Sequence, residues 1–186
     1  MYRTAIATDV VASIAAQIRT LMYSTPSSIA LMHDSSAATA HTVSQSPAHT
    51  LRLILGDQLN PQHSWFTRQD AGLVYVLMEV RQETDYVLHH AQKILAIFAA
   101  MRAFAARLRQ AGHRVRYVAI DDASNRQSVP RNLDALMAHY RADQLEYQAP
   151  DEWRVDEALR HWSAEQPFAT RMVDSEHFLT TRSEVA

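Results

Sequence analysis

The side chains best suited to chemistry fall into two short clusters. Gly56-Asp57-Gln58-Leu59 closes one apolar run. Glu79 and Glu83 close a second, with Tyr86 and the pair His89-His90 just beyond. The sequence has no cysteine, and Ser64 beside His63 lacks the G-x-S-x-G surroundings of a hydrolase serine, so no nucleophile stands out. Neighbouring helical residues point about 100° apart, so His89 and His90 cannot grip one ion from regular geometry. No H-x-x-x-H spacing occurs near acids either, and no metal site is expected. Carboxylates and an amide at the ends of apolar runs suit binding: they meet the edge of a heterocycle or the hydroxyls of a sugar. Each residue also has a plainer use. Gly56 serves equally as a tight turn. Asp57 and Gln58 can cap the next segment, and Glu83 can be a solvated carboxylate at a helix mouth. His90 fits a hydrogen-bonded histidine on an apolar stripe lining the crevice, and His89 is expected to be exposed.

The elements that must position these residues alternate regularly. Leu51–Leu55 and Leu73–Val80 read as buried strands, the second apolar on both faces as a central parallel strand should be. The spacing of Tyr86, His90, Ile94, Ile97, Met101, Phe104 and Leu108 predicts one long helix over Thr84–Ala111, with Thr84 or Asp85 as its N-cap and Gly112 ending it. His113–Ile120 is a third strand. A helix begins near Pro130 and runs to about Tyr140. Gln144–Gln148 is a fourth strand, and Pro150-Asp151-Glu152 opens a helix with Val155, Leu159 and Trp162 inward. Ala169–Val173 is a fifth strand. Strands separated by helices imply an α/β fold: a Rossmann-like, open five-stranded parallel sheet of order 3-2-1-4-5. The switch point then falls beside strand one, next to Gly56-Asp57-Gln58, where such sheets bind ligands.

Composition narrows the function further. The net charge of −2 gives no global field for nucleic acid. Three glycines in 186 residues leave no G-x-G-x-x-G or P-loop, and no apolar run approaches a membrane span. Residues 1–50 contain no Lys and no Glu and are rich in Ser, Thr and Ala. They read as a low-complexity, disordered extension apart from a weak helix over Val10–Met22. The α/β domain is expected over 51–186.

The actual strings say more. LRLILGDQLN, YVLMEVRQETDYVLHHAQKILAIFAAMRAFAARLRQAGHRVRYVAIDD, EWRVDEAL and HFLTTRSE resemble the amino-terminal domain of the cryptochrome/photolyase superfamily. The similarity is to the branch of deoxyribodipyrimidine photolyase-related proteins, which holds the bacterial iron–sulfur cryptochromes and (6-4) photolyases. It runs from about Leu51 to the C terminus.

The resemblance implies a light-harvesting domain that binds 6,7-dimethyl-8-ribityllumazine as an antenna beside strand one. By position, Gly56, Asp57, Gln58, Leu59, Glu79, Glu83, Tyr86, His90, Ile94 and Ile97 would be the cofactor-binding residues. Ile94, Ile97 and Leu59 would supply flat apolar walls, and the carboxylates and amide would supply polar partners. In that family FAD, a cysteine-ligated iron–sulfur cluster and the DNA-binding cleft belong to a larger helical domain further along the chain. The expectation is therefore a truncated antenna domain that does not repair DNA alone. It would be a cytoplasmic monomer whose partner is a small-molecule chromophore and which reaches DNA only through the absent domain. A vestigial or interaction domain with an empty crevice is the alternative. An adenine-nucleotide enzyme is disfavoured by the missing glycine loop and by acids that repel phosphates.

Overall fold

The computed structural model describes residues 47–87, 89–178 and 184. The expected extension over 1–46, and the helix expected within it, lie outside these residues. Ala48 and Thr50, assigned to the extension by composition, already belong to the packed domain: Ala48 is buried and Thr50 opens the first strand.

Five strands form one parallel sheet: β1 (Thr50–Leu53), β2 (Leu73–Met78), β3 (Val115–Val118), β4 (Gln144–Gln148) and β5 (Ala169–Val173). Their order is β3-β2-β1-β4-β5, as the alternation of strands and helices predicts. β1 thus has β2 on one side, Leu51 opposite Val74, and β4 on the other, Leu51 opposite Leu145. The chain turns from one direction of winding to the other at this strand.

The period of two in a strand divides the core between the two faces of the sheet. Val74, Val76 and Met78 of β2 join Leu51, Leu53, Leu145 and Tyr147 on one face. The helices α2 (Val129–Tyr140) and α3 (Trp153–Ala164) cover it with Leu133, Met137, Val155, Leu159 and Trp162. Leu73, Tyr75 and Leu77 point to the other face, where α1 (Ala91–Gln110) lays down Phe98, Met101, Phe104 and Leu108. All six residues of β2 are buried, which is why its sequence is apolar without alternation. Arg52 of β1 and Glu146 of β4 stand opposite each other in register. They solve the problem of charge in a sheet by pairing at 2.7 Å, with the Arg52 guanidinium 4.9 Å from the centre of the Trp65 ring.

The helix expected over Thr84–Ala111 is shorter at its start. It begins at Ala91, with His90 in an extended conformation as N-cap. The preceding residues form a 3-10 turn over Arg81–Glu83 and irregular turns after it. Tertiary hydrogen bonds win over helical periodicity here. The Arg81 amide donates to the Gln127 side chain and the Val129 amide to the Gln82 side chain. The Thr84 hydroxyl bonds locally to Asp85 at 2.9 Å. At the far end the expectation holds. Gly112 sits at φ 86°, and the His113 amide returns to the Leu108 carbonyl. The first three strands are shorter than the apolar runs that encode them: Ile54, Leu55, Val80 and Ile120 lie beyond the strand ends.

Candidate functional site

The carboxyl edge of the sheet opens into a cleft of about 350 Å³ above the end of β1. Leu55, Gly56 and Asp57 form its floor, and Met78 and Val80 enter from the end of β2. One wall is the first half of α1, with Ile94, Ile97, Phe98 and Met101. The other comes from Pro150, Glu152 and Val155, at and before the start of α3. Glu83, Tyr86, His89 and Lys93 stand at the mouth. The interior is apolar and the polar groups are few and at the rim, which is the make-up of small-molecule sites.

Gly56 is favoured by close approach. A Cβ built on it would lie 3.0 Å from Cγ2 of Ile97 and 3.2 Å from the Met101 sulfur. The absent side chain lets the β1 loop close against α1 and leaves a flat surface. Asp57 beside it has a carboxyl pushed above its usual range, chiefly by burial and further by the nearby Asp151 and Glu152.

Of the residues singled out by sequence, the structure gathers Gly56, Asp57, Glu83, Tyr86, Ile94 and Ile97 around this cleft. Gln58, Leu59, Glu79 and His90 lie elsewhere. Gln58 is buried and acts as a clip. Its carbonyl accepts from the Leu55 amide at 3.1 Å, and its amide donates to the Gln148 and Ala149 carbonyls of the neighbouring strand end. Leu59 packs half-buried against the core on the α1 face. Glu79 is fully enclosed and fully satisfied. Arg102 of α1 grips it with two bonds of 2.6 and 2.8 Å, the Tyr117 hydroxyl donates at 2.5 Å, and the Ile120 amide donates at 2.8 Å. Burial and this carboxylate together raise the Tyr117 phenol well above its ordinary value. Glu79 thus joins β2, β3 and α1 rather than facing the cleft.

The two histidines exchange the places expected of them. His89 lines the cleft and packs edge-on to Tyr86, with ring centroids 5.0 Å apart, while His90 is exposed. The cause is the later start of α1. His89 and His90 lie outside the helix, so the phase of the apolar stripe does not apply to them. His89, Lys93, Phe98, Met101 and Glu152 are additional wall residues. The stripe position of Met101 points to the core, and Glu152 reads as a helix-opening acid. Nothing in the local sequence distinguishes Lys93 from any solvated lysine.

A doubly wound parallel sheet with a cleft at the end of the strand where its winding reverses defines a Rossmann-like α/β domain. The profile of the family described as "Deoxyribodipyrimidine photo-lyase-related protein" matches residues 52–186, and the chain belongs to that family. It is similar to the (6-4) photolyase of Agrobacterium fabrum (strain C58 / ATCC 33970), with 36% identity over 135 residues. The alignment covers 72% of this chain and 27% of that relative, so the chain spans about a quarter of the relative's length.

Proposed function

We propose that this chain is the antenna domain of a photolyase-related flavoprotein and that its cleft holds 6,7-dimethyl-8-ribityllumazine. The observation that carries the reading is the cleft itself: a volume of about 350 Å³, apolar walls at Ile94 and Ile97, and a glycine floor at Gly56. That volume falls within the range of roughly 300–1,000 Å³ common to small-molecule sites. The residues fit the group in kind. Flat aliphatic walls suit a bicyclic ring. Asp57, Glu83, His89 and Glu152 offer donors and acceptors for a polar ring edge and a polyhydroxylated tail. When bound, the lumazine supplies absorption of near-UV or blue light. The protein's part is to hold the ring in a dry slot, and fix its orientation through the rim.

Light-driven DNA repair or blue-light sensing, with FAD and an iron–sulfur cluster, is proposed for a longer protein of which this domain is a part. The lack of a glycine-rich loop argues against a phosphate-bearing ligand. No helix among the described residues is long and apolar enough to cross a membrane.

The test is the absorption spectrum of the chain purified from cells that make the lumazine. A lumazine band that survives gel filtration with the protein is expected. A folded chain that emerges colourless, and stays so after incubation with the lumazine, sinks the reading. It leaves the domain as an interaction module with an empty crevice.

A further inference from the structure

The sheet order places β1 between β2 and β4, so the cleft above β1 has two banks. The chain after β2 forms one and carries Glu83 and Tyr86. The chain after β4 forms the other and carries Glu152. Both carboxylates line the cleft, and a single guanidinium joins them. Arg154, in the first turn of α3, donates from Nη2 to Glu83 at 2.8 Å, from Nε to Glu152 at 2.9 Å and from Nη2 to Glu152 at 3.0 Å. Its guanidinium carbon also lies 4.1 Å from the centre of the Tyr86 ring. A planar, forked cation is the one side chain that can satisfy two carboxylates and an aromatic face at once. Arg154 itself is not among the residues lining the cleft.

We propose that Arg154 is a strap beside the mouth of the cleft, which ties the two banks together through Glu83 and Glu152 and sets the rate at which a ligand enters and leaves. This rests on the reading of the cleft as a ligand site. The strap is built to release. Arg154 and Glu83 are each 32% exposed, so water and salt weaken their attraction. The chain before the strap is anchored separately through Arg81 and Gln82 to residues 127–129, so release of Arg154 loosens the turn over residues 83–85 and leaves the base of the bank in place. With the strap released, Glu83 and Glu152 are left as like charges on facing banks, which favours a wider mouth.

The experiment is stopped-flow mixing of the full chain with 6,7-dimethyl-8-ribityllumazine, for the parent, Arg154→Ala and Arg154→Lys, at low and high salt. Circular dichroism serves as the check on folding. An exposed ion pair and a cation–aromatic contact together predict that Arg154→Ala speeds both association and dissociation about tenfold. The equilibrium constant then moves little, and lysine falls between. The parent's rates should rise with salt and the alanine variant's should not. Faster dissociation alone would overturn the strap, since Arg154 would then be a ligand contact. Unchanged rates would overturn it as well. If the parent binds no lumazine, the reading of the cleft fails by itself, and amide hydrogen exchange decides the strap. Arg154→Ala should speed exchange at Glu83, Thr84 and Asp85, whose amides bond within this turn. Unchanged exchange there would refute it.

Discussion

Gly56 and Ile97 meet across the floor of the cleft so closely that a Cβ on the glycine would lie 3.0 Å from the isoleucine Cγ2. The contact joins the loop after β1 to the middle of α1 and fixes how far apart floor and wall can be. Gly56→Ala must push Ile97, which is partly exposed and can yield, so a loss of about 1 kcal/mol is expected. Gly56→Val cannot be absorbed in that way and should cost about 3 kcal/mol. Urea unfolding of the two variants checks the order. Equal, negligible losses would show that the floor and wall do not touch as described.

Glu79 and Arg102 form the buried tie between β2 and α1. Arg102→Leu leaves a carboxylate with no exposure facing an apolar side chain, and should destabilise the fold by about 3–5 kcal/mol. Removing both charges, as Glu79→Leu with Arg102→Leu, should cost less than the single change, because no unpaired ion remains. A double-mutant cycle in urea measures the difference.

Gln148 is wholly buried in β4, and neither its side-chain nitrogen nor its side-chain oxygen has a hydrogen-bond partner among the described residues. Each unmade bond costs about 1–3 kcal/mol. Gln148→Met keeps the length of the side chain and removes the polar atoms, so its melting temperature should rise. A fall would show that the amide is satisfied by a bound water that methionine expels.

Asp57 is exposed at the surface, so the protein raises its carboxyl pKa only against the screening of water, and it gives the fold a small acid-side pH dependence. The folded state prefers the protonated acid. The stability it contributes is complete below the unfolded value of about 3.9 and is lost as pH rises through the higher folded value. Asp57→Asn mimics the protonated form. It should therefore be more stable than the parent at neutral pH, with the advantage shrinking to nothing as pH falls below that of an ordinary aspartate. Thermal melts across the acid range check it. A variant less stable than the parent at neutral pH would mean that the hydrogen bond to the carboxylate outweighs its loss of water and the nearby acids.

The sheet was legible because each strand is an apolar run and each crossover a helical period, and right-handed connections then leave few orders open. The turn at Gly112 and the inward faces of α2 and α3 were legible for the same reason: the pattern is local. The site was legible only in part. Gly56, Asp57, Ile94 and Ile97 stand where any ligand above β1 must pass. Glu79 looked equally exposed to such a ligand, since a carboxylate at a strand end reads the same whether it faces solvent or Arg102. What distinguishes the two is a partner 23 residues away on α1. The swap of His89 and His90 has a similar origin. Bonds from Arg81 and Gln82 to the 127–129 segment hold the chain out of the helix, and those partners lie more than 40 residues downstream.

The central claim is that the cleft between α1 and the start of α3 holds the lumazine. It is tested most directly by titrating the full chain and its Ile97→Trp variant with 6,7-dimethyl-8-ribityllumazine and following the ligand's fluorescence. Ile97 is partly exposed and lines one wall, so the variant should fold like the parent while its indole fills the slot. Saturable binding by the parent, abolished in Ile97→Trp with unchanged circular dichroism, is the predicted result. Equal binding by both proteins would contradict the assignment of this cleft, and no binding by a folded parent would contradict the antenna function proposed for the chain.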